Sequence, residues 1–368
     1  MELCGNGKLA LLAPPSALMG DTPRARDAVD ERRALFYTPG MRVLFIGGTG
    51  IISSACSELA VERGIELYLL CRGRSPRPIP KGVKVLSGDI RDAQSARAAL
   101  GSLEFDAVAD FISFVPEHIQ AGIELFSGRT GQFVFISSAS AYKKPVDNWP
   151  LTESTPLVNP HWQYSRNKIA CEELLVRAYR ETGFPMTIVR PSHTYDKTLL
   201  PFDPYQCGYT VLKRLQAGKP VVVHGDGSSL WVLTHHRDFA KGFVGLLANP
   251  KAIGEAFHIT SDEVLTWNEI YGAVARAAGV APKLVHVPSA IIAREHPDWG
   301  AGLLGDKTHS VIFDNTKIKR FVPGFECTIP FARGAEELVE FYRANPDFEA
   351  VNAKVDQLMD RLAQQFAV

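Results

Sequence analysis

Tyr164 and Lys168 stand four residues apart in the run Gln163-Tyr-Ser-Arg-Asn-Lys168. On a helix that spacing puts a phenol and an ammonium on one face. The chemistry such a pair can do is proton transfer. A free tyrosine has a pKa of about 10, so service as a base near neutrality needs a fall of roughly 2–3 units, or ~3–4 kcal/mol of differential stabilisation. A lysine cation in a water-poor cleft supplies part of that. Upstream lies Ser137-Ser-Ala-Ser140, and a hydroxyl there can donate to the oxygen that Tyr164 protonates or deprotonates. The plainer reading of these serines is a strand-end turn capped by its own side chains.

A second constellation precedes both. Gly47-Gly-Thr-Gly50-Ile-Ile-Ser53 sits directly between an apolar run and a helical segment. Glycine suits such a turn because the backbone must approach a pyrophosphate closely, and the helix N-terminus then stabilises the negative charge. Ser53 stands where a third glycine is usual, and it is small enough for close helix packing. The turn therefore reads as a dinucleotide site, with Lys168 holding the nicotinamide ribose and the cationic ring adding a second charge beside Tyr164. At the end of the second strand an NAD site carries a carboxylate for the ribose 2′-hydroxyl. This chain has Cys71-Arg-Gly-Arg74 there, and Arg72 suits a 2′-phosphate, which favours NADP over NAD. Asp89 and Ile90, after the third strand, are placed to contact the adenine.

The elements that must position these residues alternate. Strands are expected at Arg42–Ile46, Glu66–Leu70, Val83–Leu86, Asp106–Asp110, Gln132–Ile136 and Met186–Arg190. Helices are expected at Ser54–Arg63, Asp92–Leu100 and, longest, Tyr164–Thr182. Apolar runs bounded by turns and separated by helices predict a parallel sheet covered on both faces, a doubly wound Rossmann fold of the α/β class. Ligands then sit at the carboxyl ends of the strands. Residues 41–190 are expected to form the dinucleotide-binding domain. Residues 191–345 read as a smaller, mixed substrate lobe, with strands at Val221–His224 and Ala256–Ile259 and some return to the main sheet. A C-terminal helix occupies 346–368, amphipathic over Phe348–Phe366, and residues 1–40, which mix Pro, Gly and the charged run Arg24–Arg33 and can form one short helix, read as a disordered leader or an upstream-extended start.

Bulk properties exclude several classes. In 368 residues, 40 basic side chains balance 40 acidic ones, so nothing favours nucleic acid or an anionic membrane. No apolar stretch approaches the roughly 20 residues of a membrane span. Six scattered cysteines without a C-x-x-C pair speak against a zinc site or a disulfide framework and for a reducing, cytoplasmic setting.

Together these residues resemble the extended short-chain dehydrogenase/reductase family of NAD(P)-dependent epimerases and dehydratases. The likeness covers about residues 41–345. It rests on Gly47-Gly-Thr-Gly50, Gly88-Asp-Ile-Arg-Asp92, Phe135-Ile-Ser-Ser-Ala-Ser-Ala-Tyr142, the Tyr164/Lys168 pair and Arg190-Pro-Ser-His-Thr-Tyr195. By that resemblance Tyr164 is the acid/base, Lys168 its partner and Ser138 the hydroxyl contact. The cofactor set is Gly47, Thr49, Gly50, Ile51, Ile52, Arg72, Asp89, Ile90, Phe111, Ser113, Tyr164, Lys168, Pro191 and His193. Ser140, Tyr142, Tyr195 and Trp231 face the substrate, and a homodimer through helices that include the one bearing Tyr164 is a further implication.

Departures from the pattern narrow the chemistry. Family dehydratases carry an Asp-Glu pair after the position of Ser138, whereas this chain has Ala139 and Ser140, which disfavours elimination. After Gly225-Asp-Gly227 stand Leu230 and Trp231 in place of the arginine that binds a nucleotide-sugar diphosphate, and Arg237 comes late. A smaller sugar or polyol is the expected substrate, in a pocket among His193, Tyr195, Trp231, His235 and His236. The last two read as a satisfied pair at a strand end, not a metal site. The sequence thus predicts an NAD(P)-dependent epimerase or dehydrogenase acting on a hydroxyl or carbonyl of a sugar or sugar derivative. Two alternatives stay open: a reductase of a natural-product carbonyl, and a non-catalytic dinucleotide fold that binds RNA, as in stem-loop-binding relatives of the family.

Overall fold

Strand β1 (Arg42–Ile46) is buried from Val43 to Ile46 because both of its faces are covered. Around it the computed structural model, which describes residues 40–202 and 208–366, builds a seven-stranded sheet. Its other strands are β2 (Glu66–Cys71), β3 (Lys84–Ser87), β4 (Ala107–Asp110), β5 (Phe133–Ile136), β6 (Met186–Pro191) and β11 (Ala256–Ile259). The order is β11-β6-β5-β4-β1-β2-β3, and every neighbouring pair is parallel. The direction in which successive strands are added reverses between β1 and β4, which opens a crevice at their carboxyl ends. This is the doubly wound fold that the alternating apolar runs predict.

Helices α1 (Ile51–Glu62), α2 (Ala93–Leu100), α3 (Pro116–Phe126) and α4 (Gln163–Thr182) form the crossovers. The sequence places the start of α1 at Ser54; it begins three residues earlier, directly on the glycine turn. It also names no helix between the fourth and fifth strands, where α3 starts with Pro116 at a first-turn position that needs no N–H. Helix α4 buries Ser165, Lys168, Cys171, Glu172, Leu175 and Ala178, a stripe at three- and four-residue spacing. Gly183 ends it in the left-handed conformation, φ +71°.

Past β6 the architecture becomes mixed. β7 (His193–Tyr195) pairs with β10 (Leu233–His235), and β9 (Leu230–Trp231) with β12 (Leu265–Thr266). β8 (Pro220–His224) pairs with β13 (Lys283–Val287), whereas β11 joins the main sheet beside β6. Helices α5 (Gly208–Gln216), α6 (His236–Leu246), α7 (Trp267–Ala277), α8 (Ser289–Glu295), α9 (Pro297–Gly302), α10 (Thr316–Phe321), α11 (Phe331–Ala344) and α12 (Ala353–Phe366) complete it. The C-terminal helix therefore begins at Ala353, after a short 3-10 turn at Pro346–Phe348. The lobe has its own apolar core, with Leu212, Val222, Trp267, Val274, Leu338 and Met359 fully buried or nearly so. No described helix is long and apolar enough to cross a membrane. The leader and the short helix expected before Gly40 lie outside the described residues.

Candidate active site

The glycine turn is closed by side chains that the sequence motif does not announce. Gly47 has φ +85°, and a Cβ there would lie 2.4 Å from Ile112 Cγ2. At Gly48 a Cβ would lie 2.3 Å from Leu69 Cδ2. Neither position admits another residue without moving β2 or the loop after β4. Ser53 Oγ accepts the Gly50 N–H at 2.8 Å and donates to the Gly47 carbonyl at 2.8 Å, while Ser57 Oγ donates to the Gly48 carbonyl at 2.8 Å. Ser53 is thus a tie across the turn, a role beyond the close packing its size suggests.

The loop after β4 is shaped by Asp110. Its buried carboxylate accepts the Ile112 and Ser113 N–H groups, each at 2.9 Å, and the Ser113 hydroxyl at 2.6 Å. That places Ser113 against α4. Lys168 Nζ donates to the Ser113 carbonyl at 2.7 Å and to the Ile136 carbonyl at 2.8 Å, and it lies over the Phe114 and Phe135 rings at 4.7 and 4.8 Å. Burial lowers its pKa to about 8, with Asp110 pulling the other way. Tyr164, one turn earlier, packs its ring 4.9 Å from Trp162 and 6.5 Å from Phe114, and Lys168 Nζ is 5.8 Å from the phenol ring.

Ser138 sits at the end of β5, where its Oγ is 2.9 Å from Ser140 Oγ. Ser140 also takes a 2.7 Å hydrogen bond from Ser165 on α4, and its carbonyl accepts Asn159 Nδ2 at 3.0 Å. A deeper network holds the same strand ends: Ser137 Oγ donates to Glu172 at 2.5 Å, and Arg190 pairs with Glu172 at 2.6 Å. Glu172 is four residues beyond Lys168 on the same buried face, so helix and strand ends are locked together.

One cleft of about 1140 Å³ joins these parts. That is more than the ~300–1,000 Å³ usual for one drug-sized ligand. Gly47, Gly50, Ile51, Ile52, Phe111, Ser138, Ser140, Tyr164, Lys168, Pro191, His193 and Trp231 all line it. Ser113 stands behind the wall and reaches the site through its carbonyl. Arg72 and Asp89 form their own pair at 3.7 Å at the ends of β2 and β3, 57% and 36% exposed, and Ile90 packs toward the sheet core. Those three and Thr49 lie outside the cleft wall.

Two substrate-facing expectations need correction. Tyr142 is fully buried, its hydroxyl 3.1 Å from His258 Nδ1 and accepting Arg190 Nη1 at 3.2 Å. Tyr195 is 1% exposed and packs edge-on against His235 and Phe331. Both are core residues: Tyr195 is the last residue of β7, paired with His235 of β10, and Tyr142 closes the 3-10 turn Ala139–Ala141 with its hydroxyl bound by His258 and Arg190. His235 and His236 are likewise held by protein partners and do not line the cleft: His235 Nε2 lies 3.3 Å from Glu337, and His236 Nδ1 lies 3.2 Å from the Ile51 carbonyl.

The far wall holds residues the sequence leaves unmarked: Lys144, Trp162, Trp299, Asp306 and Lys307. They come from distant segments with no shared spacing, so no motif could reveal them. Trp231 Nε1 donates to His193 Nδ1 at 3.2 Å. Burial, and then the charge of Lys307, lower the His193 pKa to about 3, so this imidazole is neutral at physiological pH.

The residues present fit a dinucleotide. The turn has no side chain at the two positions where one would collide, it opens the N-terminus of α1, and a buried lysine follows at the opposite side of the same cleft. Comparison with known proteins agrees. The model of the NAD dependent epimerase/dehydratase family matches residues 43–260. The chain is 29% identical over 259 residues to the chloroplast stem-loop binding protein of 41 kDa b of Arabidopsis thaliana, a match that covers 67% of this chain and 65% of that one, under two thirds of the relative's own length. It is 26% identical over 325 residues to a 2'-dehydrokanamycin reductase of Streptomyces kanamyceticus, covering 88% and 91%. The structure of UDP-glucose 4-epimerase from Thermus thermophilus in complex with NAD shares the fold, with a TM-score of 0.65 at 21% identity over 83% of this chain and 100% of that one.

Proposed function

The chain belongs to the NAD dependent epimerase/dehydratase family, among the extended short-chain dehydrogenase/reductases, and from that premise we propose that it interconverts a secondary hydroxyl and a carbonyl on a sugar or sugar-derived ring. One observation carries the reading. Ser138, Tyr164 and Lys168 line the same cleft as the Gly47–Gly50 turn, so proton handling and dinucleotide binding share one cavity.

A bound nicotinamide supplies hydride acceptance and return. The chain's own residues manage the proton. Tyr164 takes it from the substrate hydroxyl in one direction and gives it back in the other. Ser138 donates to the same oxygen as charge develops there, its hydroxyl positioned by Ser140. Lys168, anchored by two carbonyls, keeps a third N–H for a ligand hydroxyl, and its charge favours the phenolate. Ala139 and the fully engaged Ser140 offer no acid or base for elimination. The match along 91% of the reductase's length supports net carbonyl reduction over epimerisation. Arg72, more than half exposed, supports NADP. The proposal places the enzyme in the cytoplasm, where the free thiols of Cys56, Cys71, Cys171 and Cys327 persist.

Tyr164→Phe is the test. Dinucleotide binding, followed by cofactor fluorescence, should be retained while turnover falls by about 10²–10⁴-fold. Undiminished turnover in that variant, or salt-dependent RNA binding without any dinucleotide bound, would overturn the reading.

A further inference from the structure

The turn Leu303–Lys307 is π-helical, a geometry found mostly at functional sites. Asn159 fastens it to the strand end that carries Ser138: Nδ2 donates to the Gly305 carbonyl at 2.7 Å and to the Ser140 carbonyl at 3.0 Å. A Cβ on Gly305 would lie 2.9 Å from Trp162 Cβ, so the turn also presses against the residue whose ring packs 4.9 Å from Tyr164. Asp306 follows on the wall of the cleft, and Lys144 lines the same wall.

These two side chains form an ion pair inside the cavity. Asp306 Oδ1 meets Lys144 Nζ at 2.6 Å, with the side chains 12% and 4% exposed. The same Nζ donates to the carbonyl of Ala139 at 3.4 Å, and Ala139 is the residue directly after Ser138. Taking such a pair out of water is costly unless further hydrogen bonds satisfy the protons and lone pairs that the two charges do not use on each other. An ammonium has three N–H groups and a carboxylate accepts on two oxygens. Ala139 and Asp306 Oδ1 engage two of the N–H groups, and Lys144 engages one of the oxygens. What the pair keeps for a ligand is a donor and an acceptor side by side, with no net charge.

We propose that Lys144 and Asp306 together read a single hydroxyl on a carbon beside the reacting one, Nζ donating to it and Asp306 Oδ2 accepting from it. This rests on the reading of the cleft as an oxidoreductase site and adds a substrate class to it: a ring with an uncharged vicinal diol, one hydroxyl for Ser138 and Tyr164 and its neighbour for the pair. A hydroxyl is donor and acceptor at once, so it matches both members. A carboxylate or phosphate would suit Lys144 but face Asp306, and an ammonium would suit Asp306 but face Lys144. Each mismatch sets like charges against one another, so the pair selects a hydroxyl over either ion.

Calorimetry on the full chain with NADP present measures binding of glucose, its 2-, 3- and 4-deoxy derivatives, glucosamine and glucuronate, and NADPH absorbance follows turnover separately. The proteins are the wild type, Tyr164→Phe, Asp306→Asn, and a double variant carrying Lys144→Met and Asp306→Leu, in which neither charge is left buried alone. The wild type and Tyr164→Phe should bind glucose about 10- to 100-fold more tightly than at least one monodeoxy sugar, the range of a hydrogen bond to a charged group. In the double variant that discrimination should vanish while NADP affinity and melting temperature hold. Asp306→Asn removes the negative member alone and should improve glucuronate relative to glucose, a gain that a loss of folding cannot imitate. The inference fails if every deoxy sugar binds like glucose, if none of the probes binds, if glucosamine or glucuronate binds the wild type best, if the double variant keeps the discrimination, or if Asp306→Asn leaves the order of glucose and glucuronate affinities unmoved. Discrimination among the deoxy sugars without dinucleotide-dependent turnover would count against the catalytic reading and leave the assignment of the pair standing. Turnover of all the deoxy sugars as efficient as that of glucose would do the reverse.

Discussion

Lys168 Nζ donates a 2.7 Å hydrogen bond to the carbonyl of Ser113. Fifty-five residues separate them in sequence, and the bond ties the helix bearing Tyr164 to the loop at the crevice between β1 and β4. It also fixes where the charge of Lys168 can act, because a second carbonyl, Ile136, holds the same ammonium from the strand that leads to Ser138.

A pH profile follows from that burial. The pKa of Lys168 lies near 8 in the fold, below its ordinary 10.5. Rates that need the ammonium should therefore fall as pH rises through about 8. Stability moves the other way. Between about 8 and 10.5 the unfolded chain binds the proton and the folded one does not, so this group's contribution rises with pH in that window. Lys168→Met should flatten the alkaline limb of the rate and lower its plateau; a wild-type rate that climbs steadily to pH 10 would contradict the assignment.

Ser53 gives a second prediction. Ser53→Ala removes both hydrogen bonds that close the glycine turn. At about 1 kcal/mol each, dinucleotide affinity should weaken about 5- to 30-fold. Ser53→Gly restores the usual glycine pattern but should weaken binding comparably, because the tie is lost all the same. Titration of dinucleotide fluorescence decides it, and a Ser53→Gly variant that binds more tightly than the wild type would refute the tie.

Arg72 tests the choice of cofactor. Its pairing with Asp89 is long and exposed, so little stability depends on it. Arg72→Ala should weaken NADP about tenfold and leave NAD unchanged, consistent with the loss of one charge-assisted contact. Equal losses for both dinucleotides would remove the 2′-phosphate from the account.

The buried histidines predict acid lability. His193 is held at about 3, and His224 and His236 at about 4, in each case first by burial. In the unfolded chain each titrates near 6.5. Below that value the unfolded state takes up protons that the folded state refuses, so stability should drop as pH falls from about 6.5 toward 4. Melting temperatures measured from pH 7.5 to 4.5 check this, and the slope should shrink in His236→Asn.

Much of the scaffold is legible in the sequence. Runs such as Val43–Ile46 and Phe133–Ile136 are apolar at every position because both faces of the sheet are covered, and that alone announces a parallel core. Glycines whose Cβ would strike Ile112 or Leu69, and a phenol and amine at helical spacing, are likewise local statements. Local spacing failed where burial depends on what packs from elsewhere. Tyr142 and Tyr195 stand beside motif residues in sequence, yet the strand pairing and the lobe helices enclose both.

What the sequence by itself determined is the glycine turn and the phenol–amine pair. Short-range chemistry, a tight turn before a helix and an i,i+4 pair, is encoded where the residues are neighbours. The rest of the cleft wall was decided only by tertiary structure. Lys144, Trp162, Trp231 and Lys307 line the cleft with Tyr164 from four separate segments, and tertiary packing, not any spacing in the chain, brings them together.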